Sequence, residues 1–73
     1  MITVYTKPSC VQCDATKRTL TKIGLEYQTI DVTEDETAYE MLVEKGFKSM
    51  PVVDANGEWW SGFQPDKING LVG

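Results

Sequence analysis

Five residues near the start of the chain, Ile2-Thr3-Val4-Tyr5-Thr6, are all β-branched or aromatic, and the run is broken at Pro8. Such a run reads as a strand ending in a turn. Ser9, with Gln12 three residues on, has the form of a capping box, which predicts a helix start at about Cys10. A strand turning straight into a helix that carries Cys10-Val11-Gln12-Cys13 leaves few folds open. If a further strand follows, the helix becomes a right-handed crossover between two parallel strands.

The rest of the chain supplies that strand. Turned at about 100° per residue, the helix puts Ala15, Thr16, Thr19, Leu20 and Ile23 on one arc and Asp14, Lys17, Arg18, Thr21 and Lys22 on the other. Cys13 falls at the edge of the buried arc, and Gly24 is the stop. Tyr27 to Val32 reads as the second strand, with Ile30 and Val32 on one face. Thr33 and Glu36 form another capping box, opening a helix that runs to about Lys45, buries Ala38, Tyr39, Leu42 and Val43, and stops at Gly46. Pro51 to Asp54 is a short strand, Ala55-Asn56-Gly57 a hairpin turn, and Glu58-Trp59-Trp60 the return strand. Its two tryptophans point to opposite faces, one to the core and one to the surface. Ser61 to Gln64 is a loop, and Pro65 opens a last short helix through Ile68 and Leu71. The order β-α-β-α-β-β-α predicts an α/β fold: a mixed four-stranded sheet with helices on both faces.

Seventy-three residues bound the chain to one domain, residues 1–73, and exclude a large multi-site enzyme. A hydrophobic share of 41% and a charged share of 25% are ordinary for a globular protein. The net charge of −4 offers nothing for capture of nucleic acid or an anionic membrane surface. Met1 leads straight into the first strand, with no basic leader and no spanning apolar segment, so the expectation is a cytoplasmic protein, with a monomer the default for this size. There is no histidine, which removes imidazole acid–base catalysis. With two cysteines, one chain cannot close a four-ligand zinc site of nitrogen and sulfur, so no metal is assigned.

The cysteine pair is where the chemistry lies. At a helix start, free N–H groups and the positive helix end favour a thiolate on Cys10 and lower its pKa below the free value of about 8.5; Lys7 adds to this. Cys13, one turn on, reaches the same sulfur from the buried side. One sulfur attacks and the other resolves. Two other readings of the pair are a structural staple, adding about 2 kcal/mol for so short a loop, and half of a zinc or iron–sulfur site completed by a second chain. Met50-Pro51 before a strand is a candidate cis-proline, although most X–Pro bonds are trans.

Together these residues resemble the NrdH-type redoxins, glutaredoxin-like members of the thioredoxin superfamily. The resemblance covers nearly the whole chain. It rests on Val4-Tyr5-Thr6-Lys7-Pro8, on the C-V-Q-C of Cys10 to Cys13, on Met50-Pro51-Val52-Val53, and above all on Trp60-Ser61-Gly62-Phe63-Gln64-Pro65-Asp66. It implies the thioredoxin fold and a dithiol–disulfide oxidoreductase that supplies electrons to class Ib ribonucleotide reductase. It also implies Cys10 and Cys13 as the catalytic pair, Pro51 as a cis-proline, and Met50 as the backbone offered to an extended partner peptide. Val11, Gln12, Trp60, Ser61, Gly62 and Phe63 would be further partner-binding positions.

One departure is informative. Ordinary glutaredoxins hold glutathione with a G-G-x-D-D-like segment, whereas Ser61 to Asp66 here has one carboxylate and a bulky Phe63. That implies thioredoxin reductase as the reductant, with NADPH and FAD acting through that partner and no cofactor bound by this chain. The other readings are a glutathione-coupled glutaredoxin and a dimeric iron–sulfur or metal carrier.

Overall fold

The computed structural model describes residues 1–72, leaving Gly73, the last residue of the expected domain, outside the described residues. The elements are β1 (Ile2–Thr6), α1 (Val11–Lys22), β2 (Tyr27–Asp31), α2 (Glu36–Glu44), β3 (Val52–Ala55), β4 (Glu58–Ser61) and α3 (Pro65–Gly70). The sheet order is β2-β1-β3-β4. β1 runs parallel to β2, with Ile2 opposite Tyr27. It runs antiparallel to β3, with Tyr5 opposite Val52, and β3 runs antiparallel to β4, with Val53 opposite Trp60. This is the mixed sheet that the element order predicts. The turn between β3 and β4 has Asn56 at φ 56° and Gly57 at φ 103°, the left-handed pair that a two-residue hairpin requires.

β1 lies at the centre, and all five of its residues are buried. A strand covered on both faces needs apolar or β-branched side chains on both, hence the unbroken run rather than an alternation. On one face Ile2, Val4, Val53, Ala55 and Trp60 pack with Leu20 of α1 and Ile68 of α3. On the other, Tyr5 and Val52 pack with Val32 and with Ala38 and Leu42 of α2. Thr16 sits fully buried in α1 because its hydroxyl donates to the Gln12 carbonyl at 2.9 Å.

Both helix starts differ from the expectation. Ser9 is in the left-handed region at φ 57°, so it cannot be the extended residue that caps a helix. Cys10 is that residue, and its sulfur accepts from the Cys13 N–H. At α2 the cap is Asp35, whose carboxylate accepts from the Ala38 N–H at 3.0 Å. Thr33 instead folds onto Asp31, its N–H and hydroxyl both donating to Asp31 Oδ1. Tyr39 and Val43, expected in the core, are exposed. α2 meets the sheet along the narrow line of Ala38 and Leu42, and the half-buried Met41 fills beside them.

Candidate active site

The end of β1 and the turn Lys7-Pro8-Ser9 deliver Cys10 to the first turn of α1, where it is joined to Cys13 as a disulfide with Cα atoms 5.2 Å apart. The Cys13 N–H donates to Cys10 Sγ at 3.1 Å, a contact that keeps the sulfur over the helix start. Cys13 is 1% exposed and Cys10 9%. Cys10 is thus the more accessible sulfur, though mostly covered; Cys13 lies inside the core rather than at its edge.

Two segments close around the pair. The Met50 carbonyl oxygen is 3.8 Å from Cys10 Sγ, and the Met50–Pro51 bond is cis. Pro51 is buried, and its carbonyl accepts from the Gly62 N–H at 2.8 Å. Gly62 has φ 81°, a left-handed conformation that favours glycine. The next N–H, of Phe63, donates to Gln12 Oε1 at 3.0 Å. The loop is tightened by Gln64 Nε2, which donates to the Ser61 carbonyl at 2.9 Å. Gln12 therefore does not complete a capping box with its side-chain oxygen. That oxygen clamps α1 to a loop far along the chain.

The other predicted positions divide. Val11 is 80% exposed beside Cys10. Ser61 and Phe63 are half-buried, with Phe63 packed against the core. Trp60 is a correction: at 3% exposed it is a core residue between α1 and α3, not a surface for a partner. β4 runs on through Ser61, so Trp60 is an inward-facing strand position. Trp59 lies on the opposite face, half-buried, its ring stacked 5.9 Å from Tyr5 and 6.2 Å from Phe47.

Lys7 is exposed and lines a concavity of about 340 Å³ with Val32, Tyr39, Lys48 and Met50. Among the described residues it makes no salt bridge. This concavity was not legible in the sequence, because Tyr39 reaches it from α2 and Lys48 from the segment after that helix. Among the described residues no helix is long and apolar enough to cross a membrane.

A mixed sheet with helices on both faces, a cis-proline, and a cysteine pair at a helix start define a thioredoxin-fold dithiol–disulfide oxidoreductase. The glutaredoxin family model matches residues 2–60. The glutaredoxin-like protein NrdH of Escherichia coli K12 is 47% identical over 70 residues, covering 96% of this chain and 86% of that protein. NrdH of Lactococcus lactis subsp. cremoris is 32% identical over 72 residues, covering 99% and 100%. The solved structure of E. coli NrdH-redoxin, a protein with a thioredoxin-like activity profile, superposes with a TM-score of 0.93, covering 96% of this chain and 92% of that one. The chain belongs to the glutaredoxin family, among its NrdH-type redoxins.

Proposed function

We propose that this redoxin carries electrons from thioredoxin reductase to class Ib ribonucleotide reductase, with Cys10 as nucleophile and Cys13 as resolving thiol. In the reduced protein the Cys13 N–H and the helix start favour negative charge on the Cys10 sulfur, and Lys7 adds positive charge nearby. The Cys10 thiolate attacks one sulfur of the partner disulfide; the S–S bond breaks, and the partner's other sulfur leaves as a thiolate. Cys13 then gives up its proton, attacks Cys10 Sγ, and displaces the partner's first sulfur. Two electrons pass to the partner together with the Cys13 proton, solvent supplies the second proton of the partner dithiol, and the Cys10–Cys13 disulfide remains. Thioredoxin reductase, drawing on NADPH through its flavin, restores the dithiol, so this chain needs no bound cofactor of its own.

The observation that carries the choice of reductant is the state of the loop N–H groups. Glutathione is a small anion, and an anion of that kind needs backbone donors beside the dithiol. The Gly62 and Phe63 donors are already taken by Pro51 and by Gln12. Pro65 contributes none, since proline has no N–H. A protein reductase, in contrast, needs room for a chain, which the Met50 side supplies. The test follows NADPH oxidation with this redoxin at matched concentration in two coupled systems. Thioredoxin reductase is expected to turn it over efficiently and glutathione with its own reductase poorly. Equal rates would replace this reading with a glutathione-coupled glutaredoxin.

A further inference from the structure

The proton and electron chemistry uses one end of α1 and leaves its outer face unexplained. At about 100° per residue, Val11, Arg18 and Lys22 fall within about 40° of one another on that face. All three are exposed. The face borders a surface concavity of about 820 Å³, lined by Asp14, Lys17, Arg18, Lys22 and Tyr27 among others. Its single carboxylate, Asp14, is engaged by Lys17 at 3.5 Å. Arg18 and Lys22 make no salt bridge among the described residues. These free cations belong to a chain of net charge −4. On the other side of the sheet, Glu36, Glu40 and Glu44 of α2, with Glu34 and Asp35 just before it, are all exposed. The two helical faces thus carry opposite charge, and the positive one starts beside Cys10.

We propose that the outer stripe of α1, Val11 with Arg18 and Lys22, docks a carboxylate-rich segment of the partner polypeptide that continues from the disulfide Cys10 attacks. The inference rests on the electron-carrier reading of the dithiol. Val11 offers an apolar contact next to the sulfur, and the two cations follow at about 10 and 16 Å along the helix axis. An extended segment of about five residues spans that distance. An acidic segment is repelled by α2 and attracted here, so the charge pattern sets the direction in which it lies as well as the rate at which it arrives.

The test uses pre-reduced protein in single turnover with two disulfide-looped peptides that differ in one tail of about six residues, glutamates or lysines, long enough to reach Lys22 at about 3.3 Å each. Net charge alone would make the lysine peptide faster. The stripe predicts the opposite: the glutamate peptide reacts faster at low ionic strength, by about tenfold, and loses that advantage as the Debye length falls to about 3 Å at 1 M salt. Arg18→Gln with Lys22→Gln leaves net charge alone to act and should abolish the glutamate preference or reverse it, while reduction of neutral bis(2-hydroxyethyl) disulfide stays unchanged. A lysine peptide that reacts as fast in the wild type, or a glutamate preference that survives in the double variant, overturns the docking stripe. If the wild-type dithiol fails to reduce even the neutral disulfide, the electron-carrier reading falls and the stripe falls with it.

Discussion

The two flanks of the Cys10–Cys13 pair are built on opposite plans. On the flank of Gln12 and Gly62 the backbone is used up internally: Gly62 donates to Pro51 and Phe63 donates to Gln12. On the flank of Met50 the surface is hollow. The concavity of about 340 Å³ beside Lys7 and Met50 shares Tyr39, Lys48 and Met50 with a second of about 250 Å³ over Leu42 and Phe47. A closed flank fixes the position of the sulfur and denies donors to a small anion. An open flank leaves space for the chain that carries the target disulfide. In the proposed function, selectivity for proteins over small thiols would come from what one side withholds as much as from what the other offers.

The largest effect comes from silencing the sulfur that both flanks serve. Cys10→Ser should reduce turnover to background, whereas Cys13→Ser should still form a mixed disulfide, visible as an added mass, and fail to release it. The reverse pattern would exchange the roles of the two thiols. On the closed flank, Gly62→Ala forces an alanine into φ 81° and sets its Cβ 3.5 Å from Gln12 Oε1. The left-handed conformation costs roughly 1–2 kcal/mol in a residue with a Cβ, so urea unfolding should show that loss and mixed-disulfide formation should slow with it. Unchanged stability would show that the loop is not held as described.

Gln12→Ala is a milder break. It removes one hydrogen bond, about 1 kcal/mol, and releases the Phe63 N–H. Glutathione-driven turnover should rise relative to that driven by thioredoxin reductase. If the ratio does not move, the occupied donor is not what keeps glutathione out. The smallest change in stability belongs to the open flank. Tyr39→Ser alters an exposed side chain and should leave unfolding within about 0.5 kcal/mol, while raising KM for a disulfide peptide by a few-fold. A KM that stays level would show that the hollow is not a binding surface.

Much of this architecture is legible in the sequence. β1 announces itself as a strand buried on both faces, Asn56-Gly57 as a tight hairpin, and Thr16 and Leu20 as the inner line of α1. Those signals are local and periodic. What stays hidden depends on residues distant in the chain or on atoms outside the usual repertoire. Ser9 and Gln12 match a capping box by type, yet the left-handed turn at Ser9 hands the cap to a sulfur. Gln12 finds its partner 51 residues away, a separation no motif encodes. Tyr39 and Val43 look like core by composition, but a helix resting on Ala38 and Leu42 has no further sheet to bury them against.

The position of β1 also has a consequence in time. The dithiol precedes in the chain much of what encloses it: the strand leading to it is central in the sheet, yet its antiparallel neighbour begins at Val52 and the loop that clamps Gln12 lies beyond Ser61. At about 5–20 residues per second, ribosomal synthesis needs about 2.5–10 s to make the stretch between them. During that interval the cysteines are made but the loop that clamps Gln12 is not, so the closed flank does not yet exist. The closed flank can form only once Phe63 has been added.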